Sequence, residues 1–529
     1  SLETTIKGPQ SIYNFRMSTL NENMVEKALK SLKPKSSLDI LYMDSKLLKT
    51  GAHILCKPLT HIFNLSIVNQ TYVDDWKIGR VTPVYKGKGS HEEASNYRPI
   101  SNNCHIGKIL DKYVNTELMS YLTQHKFITM DQAAYLKNSS TQTSIHRAIE
   151  DWLEAYNESQ VTIACFLDIK KCYDSIDHHI LFSKLEHYGI KNDQLHWFKS
   201  YLKDRKMVVS FDNSLSEEKT VNIGIPQGSA LGPTLFLVFI NDLSQAFSKA
   251  SINMYADDSL IYVTMDNFQD AISEMQIALN EASKWFKANC LLLNEEKCYL
   301  MYVNPKRNNH NVNLFLNDKE LHETDNTNYL GVTIDNNLTF KDHVQKVKSK
   351  CNSKLAALKR LSKFLPKNTL EHIYNMTIEP TIDYCATIWG HVSQGNCDIA
   401  QRIQNMAARV ICNNYDYIDT RGIDLVNYLG WRTFSERINY YTAVLIYKAV
   451  NDLTSPHIAN LMTLNHDVNM YNTRSVDSNN LVIPMVIKEK FKNSLQYNGA
   501  KVWNNLTTEL KCASSLKAFK RLYKNIHFT

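Results

Sequence analysis

The sequence lacks the long apolar runs, the secretion signal and the paired cysteines that mark membrane-spanning and secreted proteins. Its longest wholly apolar run extends from Leu235 to Ile240, which is far too short for a helix that crosses a membrane. The N-terminus does not have the basic, then apolar, then small-residue pattern of a signal peptide. The 11 cysteines are scattered singly, with no Cys-x-x-Cys, which argues for a reducing compartment. We therefore expect an intracellular protein, nuclear or cytoplasmic, with no membrane partner.

The cysteines give little support to a zinc site. Cys385, His391, Cys397 and Cys412 include the residue types of such a site, but their spacing fits no standard zinc finger. Thiols at helical positions are more often packed in a core. We therefore favour packing for this set.

Glycine is also scarce, at 16 of 529 residues, roughly 3% against a usual 7%. The segment from Gly224 to Pro233 is an exception, since it contains three glycines within ten residues. Glycines such as Gly228 allow a backbone to approach a ligand closely. Gln227, beside it, offers both a hydrogen-bond donor and an acceptor. The segment is a candidate binding loop, and a plain turn before a helix is the alternative.

The overall composition is that of a soluble globular protein, with 43% hydrophobic and 21% charged residues. A length of 529 residues exceeds what one hydrophobic core usually supports, so several subdomains are expected. The net charge of +7 favours polyanionic partners, although a surplus of this size is also compatible with simple solubility.

Two adjacent aspartates, Asp257 and Asp258, lie between apolar and β-branched segments without proline. This pattern predicts a β-hairpin with both acids at its turn. Neighbouring carboxylates repel each other unless a cation lies between them, and Mg²⁺ typically takes one or two carboxylate oxygens from protein. The alternative is a solvated turn, since aspartate is common in turns.

A third carboxylate favours the metal interpretation. Val161 to Leu167 is an almost unbroken apolar run of strand length, and Asp168 follows it. Such a run is typical of a strand buried on both faces, and an acid at its end is paired, hydrogen-bonded or bound to metal. Asp168 and Asp257 would bridge two metal ions that activate a 3′-hydroxyl and stabilise a leaving pyrophosphate.

Five motifs follow one another along the chain: Phe166–Asp174, Gly224–Ser229, Tyr255–Asp258, Trp285–Lys297 and Tyr329–Val332. In order and spacing, the first three resemble the successive palm motifs of reverse transcriptases, and the last two resemble the closing palm motifs of the non-LTR (LINE-type) retrotransposon enzymes. The resemblance covers roughly residues 75–340 and continues more weakly to the C-terminus.

The resemblance implies an α+β fold, the right-hand polymerase of fingers, palm and thumb, with an antiparallel palm sheet and a helical C-terminal region. The expected domains are an N-terminal helical extension over 1–75, fingers over 76–160, palm over 161–340, thumb over 341–420 and a C-terminal helical region over 421–529. It also implies catalytic, metal-binding Asp168, Asp257 and Asp258.

The resemblance implies further site residues. Lys86 and Arg98 would bind the triphosphate of the incoming nucleotide, and Tyr173 would exclude a ribose 2′-hydroxyl sterically, with Gln227 and Gly228 completing the nucleotide pocket. Lys297 would act as a general acid for the pyrophosphate. Leu330 and Gly331 would form the primer grip.

One segment departs from the family pattern. Ala134-Tyr135-Leu136 occupies the place where relatives carry Gly-Phe-Arg. The role of that arginine is either lost or taken over by Lys137, so the template-side contact of the fingers differs from that of the relatives.

Several helices are expected outside the motifs. Glu22 to Leu32 predicts a helix capped by Asn21, Leu47 to Asn69 predicts one interrupted near Pro58, and Asn368 to Trp389 predicts another. Residues 341–370 contain nine cations and one acid, a net charge of +8. A thumb that contacts the phosphates of a template–primer duplex fits this charge better than a membrane-binding helix does.

The predicted function is therefore RNA-directed DNA polymerisation with two Mg²⁺ ions, for which Mn²⁺ would substitute. The expected partners are an RNA template, a DNA primer or target DNA, and dNTPs. Because the chain starts at Ser1, we expect a fragment of a longer product with an endonuclease domain upstream. The alternatives are a catalytically inactive RNA-binding derivative and a reverse transcriptase similar to the group II intron maturases.

Overall fold

The computed structural model describes residues 6, 10–34, 38–87, 89–212, 214–304, 313–468 and 479–527. Helices and strands are interspersed along the first 340 residues, and helices predominate after them. The chain forms two compact units. The first contains Ser1–Tyr135, Asp168–Ser248 and Ala278–Glu295, and the second contains Leu136–Leu167, Lys249–Ile277 and Glu296–Thr529.

The α-helices are α1 Glu22–Lys30, α2 Ser45–Thr50, α3 Ala52–Val68, α4 His105–Gln124, α5 Thr141–Asn157, α6 His178–His187, α7 Asn192–Leu202, α8 Gly232–Ile240, α9 Phe268–Ala288, α10 Lys341–Leu361, α11 Lys367–Thr377, α12 Glu379–Asp383, α13 Ala386–Trp389, α14 Gln394–Cys412, α15 Gly422–Tyr428, α16 Phe434–Val450, α17 Pro456–Asn460, α18 Asn465–Val468, α19 Leu495–Asn504, α20 Thr508–Lys511 and α21 Leu516–His527.

The strands are β1 Ile78–Tyr85, β2 Tyr97–Asn102, β3 Val161–Leu167, β4 Arg205–Phe211, β5 Ser214–Leu215, β6 Lys219–Val221, β7 Ser251–Tyr255, β8 Asp258–Met265, β9 Tyr299–Val303, β10 Phe315–Leu316, β11 Lys319–Glu320, β12 His322–Glu323, β13 Asn326–Tyr329 and β14 Val332–Asp335.

In the first unit, a sheet with the order β2-β1-β4-β5 carries β6 beside β4. β1 pairs with β2 as an antiparallel hairpin and with β4 in parallel. Helix α8 is buried along its whole length except at Pro233, because its sequence is apolar on every face. The helix begins at Gly232, within the glycine-containing segment of residues 224–233.

In the second unit, a five-stranded sheet has the order β12-β9-β3-β8-β7. β3 is its central strand and is antiparallel to both β8 and β9, whereas β12 is parallel to β9. The sheet is therefore mixed and not purely antiparallel. The central position explains why β3 is an apolar run, since both of its faces are covered.

Helices cover this sheet and extend the core of the second unit. Ile149 and Trp152 of α5 belong to the same apolar cluster as Ala164 of β3. Val344, Val347 and Cys351 of α10 belong to it as well, and their spacing of three and four residues is that of one helix face. A second cluster joins α16, α19 and α21. None of the helices described is long and apolar enough to span a membrane.

Two helix predictions were wrong in detail. The helix expected to break near Pro58 instead breaks at Gly51, which ends α2 and precedes α3, while Pro58 lies inside α3 at the cost of one backbone hydrogen bond. The helix expected from Asn368 to Trp389 is three short helices. The last break is at Cys385, whose φ of +52° is incompatible with a continuous helix.

Candidate active site

The two adjacent aspartates lie on the turn predicted for them. β7 and β8 pair antiparallel up to Tyr255 opposite Asp258, which leaves Ala256 and Asp257 as the two turn residues. Ala256 has a φ of +54°, the conformation that two-residue hairpin turns require at their first central position. Ala256 is buried, whereas Asp257 and Asp258 are exposed. The turn therefore presents both carboxylates to solvent.

The register of the sheet fixes the position of the chain just before Asp168. β3 pairs with β8 so that Leu167, its last residue, lies opposite Ser259. Ser259 directly follows Asp258, and Asp168 directly follows Leu167. The prediction that Asp168 follows a buried strand is confirmed.

Asn294 orients Asp168. Its side-chain amide donates a hydrogen bond to the Asp168 carboxylate at 2.8 Å, and its backbone N–H donates to the Asp168 carbonyl at 2.8 Å. A hydrogen bond of this kind fixes the orientation of the carboxylate. Sequence reasoning gave Asn294 no role, although its place in the motif that ends at Lys297 was a signal.

The carboxylates suit a hard divalent cation by their donor chemistry. Mg²⁺ prefers oxygen ligands and takes only one or two carboxylates from protein, and exposed carboxylates on a short turn meet that requirement. Across the described part of the chain, no group of three or more His, Cys, Asp or Glu side chains is arranged to hold a metal ion. The three-aspartate metal site stays a prediction.

Tyr173 is held between two other aromatic residues of the first unit. Its ring stacks on Phe236 at a centroid distance of 4.8 Å and an interplanar angle of 16°. Its hydroxyl lies 3.0 Å from the Tyr135 hydroxyl, and its carbonyl accepts the backbone N–H of Ile225 at 2.8 Å. The contact from Tyr135 was not foreseen, because it joins residues 38 positions apart.

The glycine-containing loop is anchored next to Tyr173. The Gln227 amide donates to the Asp174 carboxylate at 3.1 Å, and the Gln227 carbonyl accepts the Ser101 N–H at 3.1 Å. Burial raises the pKa of Asp174, and the Gln227 bond partly offsets that rise. Gly228 has a φ of +98°, and a Cβ there would lie 2.6 Å from the Ser101 carbonyl, so only glycine fits.

Lys86 and Arg98 lie on the hairpin formed by β1 and β2. Arg98 is exposed and opposite Val84. Lys86 follows β1 directly and is also exposed, and its ammonium donates to the Ser95 carbonyl at 2.7 Å. Both cations thus lie on one antiparallel hairpin.

The turn between β13 and β14 consists of Leu330 and Gly331, with φ angles of +48° and +84°. The Tyr384 hydroxyl donates to the Leu330 carbonyl at 2.7 Å. A Cβ on Gly331 would lie 3.2 Å from the Tyr384 ring. The two strands form a hairpin, and Tyr384 is a support for it that the sequence did not indicate. Lys297 is exposed and ends a short 3-10 helix before β9.

Comparison with known proteins identifies the domain that carries these residues. Residues 86–334 match the family model described as reverse transcriptase (RNA-dependent DNA polymerase). This range contains the acidic turn, Asp168, Tyr173 and the hairpin at Leu330.

Curated relatives from Drosophila melanogaster extend the match. A probable RNA-directed DNA polymerase from transposon BS is 28% identical over 84% of this chain and 49% of the relative. A probable RNA-directed DNA polymerase from transposon X-element is 27% identical, over 67% of this chain and 39% of the relative. The RNA-directed DNA polymerase from mobile element jockey is 26% identical, over 69% of this chain and 41% of the relative. The chain thus spans at most about half the length of these relatives. Residues 86–334 thus match the reverse transcriptase family, and the chain is similar over 67–84% of its length to RNA-directed DNA polymerases of Drosophila mobile elements.

Proposed function

We propose that this chain is an RNA-directed DNA polymerase that transfers nucleotides from dNTPs to a primer 3′-hydroxyl on an RNA template. The observation that carries the proposal is the acidic turn, whose strand β8 is paired with the last residues of β3, the strand that leads into Asp168. The relatives named RNA-directed DNA polymerases support the same activity.

In this proposal, Asp168, Asp257 and Asp258 hold two Mg²⁺ ions. The bound ions would lower the pKa of the primer hydroxyl and neutralise charge on the phosphates. Asn294 keeps the Asp168 carboxylate in one orientation through its 2.8 Å hydrogen bond. Lys297 would supply a proton to the leaving pyrophosphate.

The nucleotide would be held by the first unit. Lys86 and Arg98 are exposed cations on one hairpin, and Arg98 has the forked donor geometry that phosphate oxygens accept. Tyr173, Gln227 and Gly228 would surround the sugar and base. Tyr173 would exclude a 2′-hydroxyl because its ring is fixed against Phe236.

The template and primer would be bound by the second unit. The turn at Leu330 and Gly331 would position the primer end, and the lysines of α10 would contact phosphates of the duplex, with an affinity that falls as salt rises. We assign fingers to 76–160, palm to 161–340, thumb to 341–420, and helical regions to 1–75 and 421–529. By analogy with LINE-type elements, an upstream endonuclease domain would belong to the full-length product.

A primer-extension assay tests the activity. The purified chain is given poly(rA)/oligo(dT) and dTTP with Mg²⁺, with Mn²⁺, or with a chelator. We expect extension with either metal and none with the chelator. Absence of extension with both metals, by a folded chain that still binds the duplex, would contradict the proposal in favour of a binding-only derivative.

A further inference from the structure

Residues 134–136 contain an aromatic side chain that contacts Tyr173. The aromatic residue at the centre of that segment is Tyr135, and its hydroxyl lies 3.0 Å from the hydroxyl of Tyr173. A phenylalanine at position 135 could not make this hydrogen bond, since it has no hydroxyl. The contact therefore depends on the tyrosine found in this chain.

The backbone at Tyr135 is held in an unfavourable conformation. Its φ is +59°, a region that aromatic residues rarely adopt, and such a conformation persists only where the surrounding structure enforces it. The Tyr135 side chain is 54% exposed, so burial of its ring does not explain the conformation. Ala134, beside it, is completely buried and fixes the chain at this point.

The Tyr173 side chain is restrained at two places. Stacking on Phe236 at an interplanar angle of 16° sets the plane of the Tyr173 ring. A stacked ring can still slide parallel to its partner. The hydroxyl contact with Tyr135 fixes the opposite end of the ring. The backbone of Tyr173 is fixed by Ile225, so the hydroxyl is the point at which Tyr135 acts.

We propose that Tyr135 is a specificity-determining positioning residue, which restrains Tyr173 through the hydroxyl–hydroxyl contact and so sharpens the exclusion of ribonucleotides. This role rests on the proposed function, in which Tyr173 lies under the sugar. The Tyr173 ring can exclude a ribonucleotide only if it cannot move aside for the ribose 2′-hydroxyl. Tyr135 touches neither sugar nor phosphate in this role and acts only through Tyr173.

The experiment measures kcat/KM for dTTP and for rUTP on poly(rA)/oligo(dT). The proteins are the wild-type chain, Tyr135→Phe, Tyr173→Phe and the double variant. A net hydrogen bond contributes about 0.5–1.5 kcal/mol, which corresponds to a roughly two- to tenfold change. We expect Tyr135→Phe to lower the dTTP/rUTP ratio by that factor, through faster use of rUTP, with dTTP use within about twofold of wild type.

The double variant separates a shared contact from two independent effects. If the two hydroxyls act together, Tyr135→Phe/Tyr173→Phe discriminates no worse than either single variant. Tyr113→Phe is the matched control, because it removes a hydroxyl that donates to the Ser18 carbonyl at 3.1 Å in the same unit. We expect its ratio to equal that of the wild type.

A wild-type chain that discriminates while Tyr135→Phe keeps the same ratio would overturn this role and leave the polymerase assignment intact. Additive effects of the two variants would also overturn it. A wild-type chain without any synthesis would overturn the proposed function and, with it, the role of Tyr135.

Discussion

The aspartates of the acidic turn and the aspartate in the core of the first unit differ in their exposure to solvent. Asp257 lies on a two-residue turn, Asp258 is the first strand residue after it, and both are exposed. Asp242, in the other unit, is completely buried and accepts a hydrogen bond from the Lys184 ammonium at 2.6 Å. That ammonium also lies 4.7 Å from the ring centroids of both Phe239 and Trp285. The core acid thus has a cation supplied by the fold.

This difference indicates which acids serve stability and which serve chemistry. A buried carboxylate must be paired, because an isolated charge in the core is very costly. Exposed carboxylates side by side contribute little to the free energy of folding, and their oxygens are of the type that divalent cations prefer. We therefore expect substitutions at the exposed aspartates to lower activity and substitutions at the buried pair to lower the free energy of unfolding.

The largest expected effect concerns the turn. Asp257→Asn removes one carboxylate charge from the proposed metal site, so we expect primer extension to fall at least ~10³-fold, about 4 kcal/mol of transition-state stabilisation. The free energy of unfolding should change by less than about 0.5 kcal/mol, because the side chain is exposed.

Asp318→Asn is the control for the turn, since Asp318 is an exposed acid on the turn between β10 and β11 of the same unit. It should leave both quantities unchanged. DNA synthesis by Asp257→Asn at the wild-type rate would contradict the claim that the exposed aspartates of the turn serve catalysis.

The second effect concerns the core. Lys184→Met leaves the Asp242 carboxylate buried without its cation, so we expect the free energy of unfolding to fall by about 3 kcal/mol. Burial lowers the pKa of Lys184 to about 8, so the ammonium is still protonated at neutral pH. Denaturant titration of the full chain provides the measurement.

Lys319→Met is the matched surface variant, because Lys319 forms an ion pair with Glu296 at 3.6 Å and their side chains are 38% and 83% exposed. We expect a loss within about 0.5 kcal/mol there. Equal losses of unfolding free energy in the two lysine variants would show that burial does not determine how much such an ion pair stabilises the fold.

The third effect is a pH dependence. Asp111 is buried and accepts a hydrogen bond from the Tyr72 hydroxyl at 2.9 Å, and burial raises its pKa to about 6. Between its unfolded pKa near 4 and 6, the folded chain holds a proton that the unfolded chain has lost, so stability falls as pH rises through this window.

Asp111→Asn removes that titration. Denaturation at pH 4 and pH 7 should show the wild type losing up to about 3 kcal/mol relative to the variant. Asp318→Asn, at an exposed acid, should follow the wild type at both pH values. A wild-type curve parallel to that of Asp111→Asn would mean that this carboxyl does not titrate in the window.

The smallest expected effect concerns the exposed cations. Arg98→Ala should raise the KM for dTTP about tenfold with little change in kcat, because it removes a phosphate contact of roughly 1.4 kcal/mol. Steady-state kinetics measure both constants, and Arg98→Lys should recover only part of the loss, since lysine lacks the forked geometry. An unchanged KM in both variants would exclude Arg98 from the nucleotide site.

Elements whose structure depends on one continuous segment could be predicted from the sequence. Val161–Leu167 is apolar throughout because it is a central strand, and its bounds agree with β3. The acidic turn follows from the β-branched residues on both sides of it, and Asn21 caps α1 as expected. Local patterns of this kind are read directly from side-chain periodicity.

The sequence was insufficient where residues far apart in the chain meet. The bond between Asn294 and Asp168 joins positions 126 apart, and the support of Leu330 by Tyr384 joins positions 54 apart. Pro58 shows a different limit: proline breaks helices on average, but α3 continues through it. Tertiary packing decided these cases, and local propensity does not encode it.

The most direct test of the central claim is whether the three aspartates share bound metal. Fe²⁺ in place of Mg²⁺, with ascorbate and peroxide, generates radicals that cut the backbone next to the ion. We predict cuts in the full chain beside both Asp168 and the 257–258 turn, both suppressed by excess Mg²⁺ and both absent in Asp257→Asn. Cuts beside only one of these two segments would contradict the account.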